Sequence, residues 1–139
     1  MTPEDRRAAI RAELARGDEA RHAAEVLTRE GLLRDAVSRA YYATLHYARA
    51  LLLVKDEEPT THEGVLRRFS LHFVKTGLLT VDEGKILGRL HKLREDADYG
   101  VEQGYVVREV QEELESVRRF KHAVERALLS LSVFSSPQG

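Results

Sequence analysis

Arg94, Asp98 and Tyr99 stand together in the segment Arg94-Glu95-Asp96-Ala97-Asp98-Tyr99-Gly100. A guanidinium presents a planar fork of donors suited to phosphate or carboxylate, and an acid four residues on along a helix can hold that fork in place. His91 precedes Arg94 by three residues, so His91, Arg94 and Asp98 share one helix face, with Tyr99 next to them. A second set, Asp35, Arg39, Tyr42 and His46, recurs at steps of four, three and four. At 1.5 Å per residue it makes a polar stripe roughly 16 Å long. Two such stripes face to face would form a groove for an anionic ligand. The plainer alternative is two solvated helix faces, with Asp35–Arg39 and Arg94–Asp98 as i,i+4 ion pairs worth a few tenths of a kcal/mol. A third reading buries those pairs in a dimer interface, where they set register rather than add stability. In the plainer alternative, Tyr99 is a core ring with its hydroxyl at the surface.

Other chemistries are excluded by composition. The chain has no cysteine, which removes disulfides, thiolate nucleophiles and Cys-based zinc or iron–sulfur sites. Its six histidines, at 22, 46, 62, 72, 91 and 122, include no His-x-x-x-His pair and no His-Glu-x-x-His helix, so no metal site is expected. Neither a phosphate-cradling Gly-x-x-x-x-Gly-Lys loop nor a Gly-x-Ser-x-Gly elbow occurs, and no cofactor is expected. With 22 Lys+Arg against 23 Asp+Glu, the 139 residues are neither a basic nucleic-acid tail nor an acidic solvating chain. Any anion site must therefore be local. Of the 22 cations 17 are arginine. The apolar run Leu51 to Val54 is far too short to cross a bilayer, and the charged start Met-Thr-Pro-Glu-Asp-Arg-Arg does not read as a signal peptide. A soluble cytoplasmic protein without membrane contact is the expectation.

The elements that must position these residues are helices. Prolines occur only at 3, 59 and 137, at the edges of periodic segments. Thr2, Pro3, Glu4 and Asp5 start a helix that runs to about Glu30, either as one bent helix or as two divided at Gly17-Asp18. Leu33, Val37, Ala40, Thr44, Tyr47, Ala48 and Leu51 give the second, to about Lys55, one buried face. Its small residues Ala36, Ala40, Ala43 and Ala48 would let neighbours approach closely, which predicts a central position. Thr60 with Glu63 reads as a capping box for a third helix ending near Gly77, and Thr80 with Glu83 repeats the signal for a fourth, ending at a left-handed Gly100. A fifth runs from Val107 to Leu131, and residues 135–139 read as a disordered tail. Short connections between successive helices predict an all-α, up-and-down antiparallel bundle of four to five helices in one domain over residues 1–139, its core about 18–131.

The ordered set Ala36-Val37-Ser38-Arg39-Ala40-Tyr41-Tyr42-Ala43, Ala50-Leu51-Leu52, Thr61-His62-Glu63-Gly64-Val65 with Phe69, and Arg94 to Gly100 resembles the HEPN domain, most closely its small stand-alone prokaryotic branch. The similarity covers roughly residues 18 to 130. The resemblance implies a dimerising helical bundle whose protomers bring their polar grooves together, and a minimal nucleotidyltransferase, the MNT protein, as partner, commonly in a toxin–antitoxin pair. It implies RNA or a nucleotide as ligand. Many members are metal-independent endoribonucleases in which an Arg holds the scissile phosphate and a His, after four to six intervening residues, exchanges protons with the attacking 2′-hydroxyl or the leaving oxygen.

This chain departs from that pattern. Counting from Arg94, the corresponding positions hold Tyr99, Gly100 and Val101. A tyrosine, with a solution pKa near ~10, is a poor base at neutral pH. His62 is the strongest of the remaining histidines because it belongs to a matched motif, with His46 and His91 behind it. Arg94, His62 and Tyr99 are thus the catalytic candidates, and Asp35, Arg39, Tyr42, His46 and Asp98 the ligand-binding ones. Two functional readings follow: an RNA- or nucleotide-binding module protein with ribonuclease activity as an addition, or a non-catalytic accessory of the nucleotidyltransferase, with Tyr99 the natural acceptor of a modification.

Overall fold

Thr2 accepts a hydrogen bond from the Asp5 N–H at 3.0 Å, the Asp5 carboxylate reaches back to the Thr2 N–H, and α1 (Pro3–Arg29) starts there. The computed structural model describes residues 1–99 and 104–134, the side chain of Tyr99 excepted. The expected left-handed cap at Gly100 and the tail 135–139 lie outside the described residues. Helix α1 is continuous across Gly17, so of the two alternatives a single helix is found. Gly17 is buried, and its missing side chain makes room for the ring of Tyr47.

After a turn closed by Gly31 at φ 78°, the chain reverses into α2 (Leu33–Leu52), which a 3₁₀ turn, Leu53–Lys55, extends to the expected end. The reversal is read from cross-links: Arg6 binds Asp56 at 2.7 Å, and Glu13 binds His46 at 2.7 Å. These pairs run in opposite senses along the two helices, which are therefore antiparallel. As its alanines predict, α2 is central; it packs against α1, α3, α4 and α5.

The third segment differs from its expectation in two respects. The cap of α3 (His62–Phe69) is Thr61, whose hydroxyl accepts from the Gly64 N–H at 2.9 Å, rather than Thr60. A Cβ on Gly64 would stand 2.9 Å from that hydroxyl and 3.2 Å from Pro59 Cβ, so glycine keeps the cap tight. The helix then widens into a turn over Ser70–Val74 in which the Lys75 N–H donates to the Ser70 carbonyl. Thr80 and Glu83 do form the expected reciprocal cap, at 2.9 and 3.1 Å, before α4 (Val81–Tyr99). Helix α5 (Val107–Ser130) returns along α4, tied to it by Arg89–Glu113 at 3.0 Å and Arg126–Glu83 at 2.9 Å.

The core contains Tyr41, Tyr47, Phe69, Phe73 and Phe120 as its largest buried side chains, with Phe69 touching both Phe73 and Phe120. No strand occurs among the described residues. No helix among them is long and apolar enough to cross a membrane.

The fit at Gly17 is testable. A Cβ there would lie 2.4 Å from Tyr47 Cε1, and the ring cannot retreat because it is fully buried and its hydroxyl donates to Asp18 at 2.5 Å. Gly17→Ala is expected to lose about 1–3 kcal/mol to overpacking despite its better helix propensity. Gly88→Ala, whose Cβ would meet only a Leu66 methyl at 3.8 Å, should be neutral or stabilising by up to about 1 kcal/mol. Thermal denaturation of both variants checks the contrast.

Candidate functional site

Three helices bring one cluster together. Helix α2 contributes Tyr41 and Tyr42, the start of α3 contributes His62, and α4 contributes His91, Arg94 and Asp98. Tyr41 continues the apolar face of α2, four residues after Val37, and is 1% exposed. Its ring fills the core, and its hydroxyl emerges to make a short hydrogen bond with His62 Nδ1. The imidazole of His62 is held from its backbone side as well, because Thr61 caps the helix on which it is the first residue.

His91 lies against both groups: its ring centroid is 5.1 Å from that of His62 and 5.4 Å from that of Tyr41. One turn further along α4, the Arg94 guanidinium lies over the ring of Tyr42 at 4.9 Å and over Tyr41 at 5.7 Å. Such stacking on two aromatic faces fixes the plane of the fork. Asp98 Oδ2 pairs with Arg94 Nε at 3.1 Å, one turn along the helix. Nε is buried. The terminal nitrogens of the guanidinium make no hydrogen bond among the described residues, so its hydrogen-bonding capacity is incompletely used.

Electrostatics separate the groups further. Burial pushes the Tyr41 hydroxyl up to about 12. Burial, then the neighbouring charges of His91, Arg94 and Arg49, hold His62 below its usual 6.5. Arg49, half-buried on α2, makes no salt bridge or hydrogen bond among the described residues, although its charge reaches His62, Tyr41 and Glu13.

The α2 stripe divides at Tyr42. Arg39, Tyr42 and His46 line a shallow hollow of about 410 Å³ together with Arg16, Glu19, Ala20 and Ala23 of α1. His46 is engaged there by Glu13, whose carboxyl stays below its usual range because, against the opposing effect of burial, it bonds His46. Asp35 is exposed and forms no ion pair with Arg39 among the described residues. Arg94, Asp98, Tyr42 and His62 therefore meet in one cluster; Arg39 and His46 adjoin it across Tyr42, Asp35 stands apart, and the Tyr99 side chain lies outside the described residues. Two participants were not singled out from sequence, Tyr41 and Arg49. Tyr41 follows Val37 by four residues and so reads as core, while Arg49 carries a readable signal, having no carboxylate three or four residues away in either direction.

No group of three or more His, Asp or Glu side chains among the described residues could hold a metal ion. The arrangement offers cationic and imidazole groups to an anion instead. Because the unfolded chain binds the His62 proton more tightly than the folded one, stability through this group is full above pH 6.5 and falls as the pH drops from there through the folded pKa. An NMR titration should place the His62 midpoint below 6.5, and Arg94→Gln should raise it without restoring the ordinary value, burial being the larger cause. A wild-type midpoint at or above 6.5 contradicts this description of the cluster.

The family model for the HEPN domain matches residues 10–127, which include every helix that builds the cluster. Over 113 residues, 81% of this chain and 81% of the other, the sequence is 40% identical to a Methanocaldococcus jannaschii protein named as a candidate toxin. It is 33% identical over 108 residues, 78% of this chain and 82% of the other, to a UPF0332 protein of Thermotoga maritima. A second Methanocaldococcus jannaschii protein named as a candidate toxin is 41% identical over 64 residues, 46% of this chain and 44% of the other. With a family model covering most of its length and a relative at this identity over four-fifths of both sequences, the chain belongs to the HEPN domain family.

Proposed function

We propose that this protein acts in a toxin–antitoxin or related defence module and binds RNA or a nucleotide by its phosphate at the Arg94 face. The observation that carries the reading is the Arg94 guanidinium itself, stacked on Tyr42 and Tyr41 and paired through Nε with Asp98, while its terminal nitrogens make no hydrogen bond among the described residues. A phosphate oxygen at those terminal nitrogens gains a charge-assisted bond. RNA fits better than a lone nucleotide because Tyr42 is shared between the cluster and the hollow beside it, where Arg39 makes no salt bridge among the described residues. A strand lying over Tyr42 would find an aromatic face flanked by two arginines, the combination that tracks single strands. The names of two relatives support the toxin side of the reading.

The family resemblance supports a second copy of the chain and an MNT-type nucleotidyltransferase as partners. One observation favours a second reading, in which the protein is a non-catalytic accessory of that partner: positions 99 to 101 carry no histidine.

Fluorescence anisotropy with a short mixed-sequence RNA tests the binding. Arg94→Ala is expected to weaken it about 10- to 100-fold, the range for losing a hydrogen bond to a charged group. The slope of log K against log salt should shrink by about 0.7, one phosphate contact to a single strand. Unchanged affinity and slope would remove Arg94 from the site, and competition by a nucleoside triphosphate as effective as the RNA would reassign the ligand to a nucleotide.

A further inference from the structure

Arg49 is a cation that phosphate binding at Arg94 does not use. It follows Tyr42 by seven residues on α2, two turns and about 10 Å along the same face. It makes no salt bridge or hydrogen bond among the described residues. It lines a cavity of about 360 Å³ whose walls include residues 57–60, the loop between the 3₁₀ turn and α3. Thr60 of that loop stands two residues before His62, so the cavity adjoins the Arg94 cluster. The loop is anchored: the Glu57 N–H donates to the Leu52 carbonyl at 3.2 Å, and the Glu57 carboxylate binds Arg68 at 3.2 Å and His72 at 3.0 Å.

Three carboxylates line the cavity, and two are engaged. Glu57 is held by α3 and the widened turn after it, and Glu13 is held by His46. Glu58 is exposed and makes no ion pair or hydrogen bond among the described residues. The cavity therefore offers one unpaired guanidinium and one unpaired carboxylate, with Leu53 and Pro59 as apolar walls. A bare anion would answer Arg49 but meet three carboxylates, and a bare cation would answer Glu58 but leave Arg49 unpaired.

An occupant that satisfies both carries two acceptors side by side and two donors side by side on one flat ring. Among the nucleobases guanine alone does so. Its O6 and N7 suit a guanidinium fork, and its N1–H and N2–H₂ suit the two oxygens of a carboxylate. Adenine would set its N6 amino group against Arg49 and its N1 lone pair against Glu58. Cytosine and uracil each offer the carboxylate a single donor group. The volume falls in the range of small-molecule pockets. We infer that the cavity is a guanine subsite in which Arg49 reads O6 and N7, Glu58 reads N1–H and N2–H₂, and Leu53 and Pro59 contact the ring. The subsite rests on the reading of Arg94 as the holder of the phosphate, since the same strand or nucleotide supplies the base.

The test measures binding of the full chain to short 2′-O-methylated uridine strands by fluorescence anisotropy, and to GTP and ATP by calorimetry. Each strand carries one guanosine, or inosine, 7-deazaguanosine or adenosine in its place. The wild-type chain should prefer guanosine to adenosine about 10- to 100-fold, the range for one bidentate base contact. Inosine, which lacks the N2 amino group, and 7-deazaguanosine, which lacks the N7 acceptor, should each lose several-fold. Glu58→Ala should remove the inosine penalty and keep that of 7-deazaguanosine, and Arg49→Ala should do the reverse. In each variant the surviving penalty shows that the cavity is still formed.

Preference among the strands puts a guanosine of RNA in the cavity, and preference only for GTP over ATP puts a free nucleotide there; either supports the subsite. Equal affinity for all four strands, with GTP and ATP bound equally, overturns it. If that equal binding still falls on Arg94→Ala, the phosphate reading survives. Analogue penalties that persist unchanged in both variants overturn the assignment to Arg49 and Glu58. A chain that binds neither strand nor nucleotide overturns the subsite and the phosphate reading together.

Discussion

The site depends on where one side chain, Tyr41, ends. Its ring is committed to the core, so the hydroxyl at its tip is placed with the rigidity of the bundle rather than that of a surface loop. The hydrogen bond to His62 then fixes an imidazole from α3, and the ring faces of Tyr41 and Tyr42 support His91 and Arg94 from α4. Three helices thereby converge on one phenol. Tyr47 uses the same device on the other side of α2, where its hydroxyl donates to Asp18 and accepts from Arg21 at 3.4 Å to lock α1. A central helix rich in alanine permits both, because small side chains let the surrounding helices come close enough for the two long tyrosines to reach through to their partners.

Charge follows the same division. The cations on the outer faces are widely paired: Arg6 with Asp56, Arg89 with Glu113, Arg118 with Glu25, Arg126 with Glu83 and Lys121 with Asp18. Several of these pairs are solvent-exposed and worth little each, but they neutralise the outside. Around the cluster, Arg49 and Arg39 make no salt bridge among the described residues, and the terminal nitrogens of Arg94 make no hydrogen bond among them either. A chain with nearly equal numbers of acids and bases can thus present a local anion site, which the near-zero net charge conceals.

Much of this was legible in the sequence. Helix number, the Thr2 and Thr80 caps, the central place of α2 and the Arg94–Asp98 contact follow from periodicity and spacing, which are local properties. The convergence of His62 on the α4 stripe was not legible, because it depends on how α3 docks, a matter of packing between distant segments. Helix α3 also shows how local signals mislead by one residue: Thr60 and Thr61 both suit a cap, and Pro59 with Gly64 decides for Thr61. The α2 stripe reads as one surface, but tertiary packing splits it, since α1 claims His46 through Glu13 while α4 claims Tyr42. At Gly17 the sequence leaves one bent helix and two divided ones open, and the packing of Tyr47 against the glycine accounts for the continuous helix.

The central claim is that the phosphate of an RNA strand is held at the Arg94 face, beside His62 and His91. It is tested most directly by NMR of the Arg94 Nε–H and the imidazole signals during titration with a short 2′-O-methylated RNA, which occupies the site without reacting. The account predicts a shift of the Arg94 Nε–H as the guanidinium takes up a phosphate, together with shifts at both imidazoles. Saturating RNA that moves signals elsewhere while these three stay in place would contradict it.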